Sequence, residues 1–218
     1  MKRRICIFVW LAVMVVYLAG TTLVADSQGW LNNSLTFKIN PKFSLRLSNE
    51  TRCNELTYTD PYLKNWQGGI VYNPGKNLYV SFLYKREDTK KTSYILHENR
   101  FNLESGWKLN LSKKVAFDIR FRIEIRRYED DLAKDHLRFR LRVRVKTKMK
   151  IGQLELEPFI AMEPFADTIV DEIFRYRFYA GFVFPMGKHA GFVINYIRQG
   201  TKNKESINIL NTGVELKF

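Results

Sequence analysis

From Val115 to Arg126 the chain changes character at almost every residue. Val115, Phe117, Ile119, Phe121, Ile123 and Ile125 alternate with Asp118, Arg120, Arg122, Glu124 and Arg126. Beyond a polar stretch, Leu137, Phe139, Leu141, Val143 and Val145 alternate with Arg138, Arg140, Arg142, Arg144 and Lys146. Successive side chains of a strand point to opposite faces, so both segments are strands with one apolar and one charged face. A helix would scatter the two sets around its axis. Few folds can use a sheet this strongly two-sided.

The same period recurs along most of the chain. Leu35, Phe37 and Ile39 share a face, as do Phe43, Leu45 and Leu47, then Leu78, Val80, Phe82 and Tyr84. Phe101, Leu103, Trp107, Leu109 and Leu111 follow, then Leu154, Leu156, Ile160 and Met162 facing away from Glu155, Glu157 and Glu163. Phe174, Tyr176, Phe178, Phe182 and Phe184 stand opposite Arg175 and Arg177, and Phe192, Ile194 and Tyr196 precede the final run. Pro158 marks an edge or bulge position in its strand. No segment has helical period, so the expected class is all-β.

Short turns at 40–42, 73–77, 112–114 and 185–188 alternate with longer polar stretches at 50–63, 129–135 and 200–205. Outer-membrane barrels pair short periplasmic turns with longer outer loops in this way. No second stretch is long enough for a membrane helix, and only helices and closed barrels satisfy every backbone group in lipid. The alternating runs number eleven. Bacterial barrels close with even numbers, so the expectation is an antiparallel up-and-down transmembrane β-barrel of 10 or 12 strands.

Energetics decides which face meets lipid. An arginine on the lipid face at the midplane costs about 2–4 kcal/mol. Turning Arg138, Arg140, Arg142 and Arg144 outward would cost on the order of 10 kcal/mol, comparable with a whole domain's stability. A membrane barrel must therefore turn its charges inward. The expected lumen network comprises Glu98, Arg100, Arg120, Arg122, Glu124, Arg126, Arg138, Arg140, Arg142, Arg144, Glu155, Glu157, Glu163, Arg175 and Arg177. Glu104 and Asp118 add to the negative side, and the glutamates are expected to neutralise the facing arginines.

The two ends fit export and membrane assembly. Lys2-Arg3-Arg4 and the apolar run Ile5 to Gly20 read as a signal peptide, residues 1–27, cleaved after Ala25 or Ser27. The barrel domain is then 28–218. Its rival, an uncleaved anchor, falls short of the ~20 residues needed to span. Cys6 leaves with the leader, so Cys53 has no intramolecular partner and no disulfide framework exists. At the other end, Asn211, Gly213, Leu216 and Phe218 fill the pattern of the C-terminal assembly signal of outer-membrane barrels. The barrel-assembly machinery and outer-membrane lipid are the implied partners.

The formal charge of +14 loses three positives with the leader and stays strongly basic. Basic balance often points to nucleic acid, but an exported chain meets little of it. Lipid headgroups and small anions are the better candidates. His97, His136 and His189 are scattered, and no Gly-x-Ser-x-Gly, His-Glu-x-x-His or phosphate-binding glycine loop accompanies them. The expectation is no enzyme, no cofactor and no metal.

The runs His97-Glu98-Asn99-Arg100, Arg120-x-Arg122-x-Glu124-x-Arg126 and Arg138-x-Arg140-x-Arg142 resemble the domain of unknown function 2490 family of outer-membrane β-barrels. The resemblance extends from about Trp30 to Phe218. It implies fold and location and brings no activity. Together with the residues, it yields an outer-membrane barrel of the Gram-negative envelope with a charge-lined lumen, structural or a passive pore with anion preference. The alternative is a periplasmic soluble barrel, turned inside out, with a lipid-like ligand in an apolar interior.

Overall fold

The structure is a computed structural model that describes residues 27–129, 133–169 and 172–218. Residues 1–26 of the expected leader, with the Ala25 cleavage position, lie outside the described residues. Ser27 is already the first residue of a strand. Twelve strands follow one another, with no helix among the described residues: β1 (Ser27–Lys38), β2 (Phe43–Cys53), β3 (Pro61–Tyr72), β4 (Leu78–Lys90), β5 (Ile95–Asn110) and β6 (Val115–Tyr128), then β7 (His136–Thr147), β8 (Met149–Ile151), β9 (Leu154–Asp167), β10 (Glu172–Met186), β11 (Ala190–Thr201) and β12 (Lys204–Lys217).

Each strand hydrogen-bonds to the next, except that β7 pairs with β9, and β8 is a short arm folded onto β9 alone. β12 pairs with β1 and closes the wall. Twelve strands are thus present, but eleven form the barrel. The even-number rule rests on antiparallel closure, and here β1 and β12 run parallel. An odd wall follows directly, and β1 begins at the rim opposite Phe218.

That parallel seam is irregular. Its pairing runs from Ser27↔Asn208 to Leu31↔Thr212, breaks at Asn32 and Asn33, and resumes at Ser34↔Glu215. The Asn33 side chain fills the break by accepting the Val214 N–H at 3.2 Å. Phe218 donates its N–H to Thr36 at 2.9 Å and accepts from Lys38 at 2.7 Å. The last residue is therefore held in the sheet rather than frayed.

The sidedness is that of a membrane barrel. Trp66, Ile70, Phe82, Leu103, Trp107, Leu141, Ile160 and Phe178 are exposed on the outer wall, Trp66 to 69%. Glutamates, arginines and asparagines are buried within. On β6 the outward apolar run from Val115 to Ile125 covers ten residue steps. At about 3.3 Å per residue and a tilt of about 40°, that is a band about 25 Å tall, the height of the apolar belt of an outer-membrane barrel. The apolar-interior alternative fails here, because it needs the arginine face outside.

Two readings of the connections change. Residues 50–53 are the end of β2, with Glu50 and Arg52 facing inward, so the connection to β3 spans only 54–60. Lys202 and Asn203 alone join β11 to β12, with Asn203 in the left-handed region at φ 58°. In both places polar composition belonged to strand ends rather than loop. The short turns do share one rim, but the length asymmetry between the rims is small. Pro158 lies just past the last β7–β9 pair, Lys146↔Phe159, where its missing N–H costs no bond to β7. In the 129–135 loop, the Tyr128 N–H and the Arg127 guanidinium hold the Asp135 carboxyl below the usual carboxylate range.

Candidate functional site: the charged lumen

Register sets like charges against each other. Arg120 faces Arg142 and Arg122 faces Arg140 across β6–β7, while Arg100 faces Arg126 across β5–β6. Directly opposed like charges destabilise a sheet. Carboxylates lodged among the arginines offset this. Glu163 accepts from Arg120 and Arg140, both at 2.9 Å, and from the Tyr179 hydroxyl at 2.6 Å. Glu124 binds Arg140 at 2.6 Å and lies 3.4 Å from Arg122 and 3.6 Å from Arg100. Glu104 takes Arg122, Arg46 at 3.4 Å and the Ser81 hydroxyl at 3.2 Å. All three glutamates have 0% exposure.

Two further layers flank this centre. Toward the rim where β1 begins, Glu98 holds Arg100 at 2.7 Å and Arg126 Nε at 2.6 Å, and Asp167 holds Arg138 at 3.0 Å and His136 at 3.1 Å. Toward the other rim, Asp118 lies 3.4 Å from Arg142 and 3.8 Å from Arg144, and Glu157 binds Lys146 at 2.7 Å. Buried ion pairs of this kind hold only where geometry and extra hydrogen bonds offset desolvation. Here most carboxylates meet more than one donor.

Of the expected lumen residues, Glu155 does not join. It sits on the β8–β9 arm with its side chain 64% exposed and pairs with Lys150 at 3.6 Å. The arm projects past the end of the β7–β9 ladder, so alternation continues there with no lumen for the charge to face. Arg175 and Arg177 do face inward but make no direct ion pair with a carboxylate among the described residues; they bond Thr201 at 3.3 Å and Gln199 at 2.7 Å.

Other members escaped the sequence reading. Glu50 bonds Arg52 at 2.7 Å, and Glu87 bonds Lys85 at 2.6 Å and Arg100 at 3.1 Å. β4 runs on to Lys90, so the alternation Lys85-x-Glu87 was the available signal. The run His97-Glu98-Asn99-Arg100 splits between faces. Glu98 and Arg100 enter the lumen, while outside it His97 Nδ1 meets Asp88 at 2.7 Å and Asn99 donates to Glu129 at 2.9 Å. His136 belongs to the lumen and His189 stacks on Phe218, so the three histidines occupy separate environments. Among the described residues no group of three His, Cys, Asp or Glu is placed to hold a metal.

What remains between the side chains is a cavity of about 580 Å³. Arginines of β6, β7 and β10 line one side, and Asn32, Ser34, Ser48, Asn195 and Asn211 line the side near the seam.

The family model described as "Protein of unknown function (DUF2490)" matches residues 27–209, taking in all the charged strands. No curated protein matches the chain. Among solved structures, the crystal structure of the β domain of the Bordetella autotransporter Brka aligns with a TM-score of 0.47 and 11% identity, covering 80% of this chain and 81% of that one.

Proposed function

The chain belongs to the DUF2490 family, and from that membership and the barrel's sidedness we propose an outer-membrane β-barrel whose lumen is braced shut by ion pairs. It is exported by the leader at 1–27, sits in outer-membrane lipid after handling by the barrel-assembly machinery, and performs no catalytic step. Its role is structural rather than that of an open porin.

One observation carries the closed lumen: Glu104, Glu124 and Glu163 have no solvent exposure, although they lie in the middle of the lumen. Porins of 16–18 strands leave an aqueous channel, whereas eight strands leave room only for side chains. An eleven-stranded wall filled with arginines belongs nearer the second case. In planar bilayers the purified, refolded protein is expected to give no stable conductance steps. Regular porin-sized steps would sink the closed reading.

Membrane assembly has its own test. Phe218 is 55% exposed, and its ring stacks on His189 at 5.4 Å with an interplanar angle of 7°. A receptor for the C-terminus would find it accessible. Phe218→Ala is expected to leave export intact and to reduce folded protein in the outer membrane to a small fraction of wild type. Folded protein is read as the band that migrates differently on gels before and after boiling. Undiminished yield of that band would refute the assembly-signal reading.

A further inference from the structure

Arg177 is 5% exposed, yet it makes no direct ion pair with a carboxylate among the described residues. Its guanidinium lies 4.8 Å from the Trp30 ring and 4.8 Å from that of Phe165. Each of these rings carries a second arginine, Arg52 at 3.9 Å on Trp30 and Arg140 at 4.6 Å on Phe165. Phe174 repeats the arrangement, with Arg138 and Arg175 both at 5.1 Å. Aromatic faces attract guanidinium. They neutralise nothing.

The local balance is therefore positive. Arg52 has Glu50 and Arg138 has Asp167. Arg175 and Arg177 use their Nε groups on Thr201 and Gln199, which carry no charge. Rings on the guanidinium faces leave the in-plane Nη edge as the direction for further bonds, and both arginines line the cavity. Glu163 faces Arg177 across β9–β10 but is bonded to Arg120, Arg140 and Tyr179. Two arginines without a direct ion pair thus sit in a largely buried setting, which is costly unless something anionic shares the site.

We propose that the lumen cavity binds a dianionic oxyanion of the phosphate-ester type between Arg175 and Arg177. Guanidinium presents paired donors that match phosphate oxygens bidentately. Two such groups match a dianion better than chloride or a monocarboxylate. At about 580 Å³ the cavity also accommodates a small solute behind the phosphate. A free solute is the occupant, because the site faces the lumen rather than lipid. The site depends on the inward face of β10 and stands whether or not the lumen conducts.

The probe is inorganic phosphate at pH 7.5, titrated calorimetrically into the refolded full barrel in uncharged detergent at fixed ionic strength. Chloride and acetate serve as competitors. Saturable phosphate binding is expected, weakened about 10-fold or more in Arg175→Gln/Arg177→Gln. Arg177→Lys, which keeps charge but loses the planar fork, should fall between. Lys150→Gln, on the β8–β9 arm outside the lumen, should bind as wild type. If the double variant does not fold, Arg175→Gln alone decides, since among the described residues its side chain hydrogen-bonds Thr201 alone and otherwise rests on the Phe174 ring. Absent binding, binding unchanged by these variants, or chloride and acetate competing as well as phosphate would each overturn the proposal.

Discussion

Replacing Glu163 by leucine is expected to lower the barrel's unfolding free energy by about 3–5 kcal/mol, the cost of breaking a buried ion pair from one side. Glu163 holds Arg120, Arg140 and Tyr179 together, and removing it leaves Arg140 with Glu124 and Arg120 with Glu104 at 3.9 Å, while both face further arginines across the β6–β7 ladder. Leucine fills the volume, so the loss is electrostatic rather than a cavity. Urea unfolding in detergent, followed by the boiled-against-unboiled gel shift, measures it. Glu155→Leu serves as the paired control, because its ion pair with Lys150 is at the surface and such pairs contribute about 0–1 kcal/mol. Adding Arg120→Met to Glu163→Leu should recover part of the loss, since without Glu163 the Arg120 guanidinium has no carboxylate among the described residues closer than Glu104 at 3.9 Å. Equal stabilities for the Glu163 and Glu155 variants would mean that the lumen network does not brace the barrel.

That control rests on a distinction alternation could not make. Period two tells which residues share a face and nothing about how far the neighbouring strand extends. Glu155, Glu157 and Glu163 alternate equally well, yet the β7 ladder ends at Phe159 and leaves Glu155 outside. The converse error occurred at Glu50 and Arg52, where polar residues in succession resembled a loop although both point into the lumen. Sidedness was legible because one physical rule fixes it, the cost of arginine in lipid. Parallel closure was not legible, because β1 and β12 meet across the whole sequence and no local pattern encodes their relative direction. Nor could spacing pair Arg177 with Trp30 and Phe165, which lie on β1 and β9 and meet only once the wall is curved.

The seam carries the second large effect. A methyl group at Gly213 would sit 1.7 Å from the carbonyl oxygen of Asn32, against the closest approach of about 3.0 Å that real Cβ atoms reach. The obstructing atom is backbone, so no rotamer change relieves it and β1 must retreat from β12. The seam has little slack, since its ladder is already broken at Asn32 and Asn33 and is held by Asn33 to Val214 and by Asn32 to Asn211 at 2.5 Å. An open seam exposes two strand edges, and each unpaired backbone group in lipid costs several kcal/mol. Gly213→Ala is therefore expected to abolish the heat-shifting band, whereas Gly75→Ala, with open space around its Cβ, should fold as wild type. Refolding into detergent without any cellular machinery separates the two ends of the closing stretch. Phe218→Ala should then refold, because recognition is no longer required. Gly213→Ala should still fail, because closure is. Recovery of a normal gel shift by Gly213→Ala under those conditions would show that the β1–β12 pairing is not what closes this barrel.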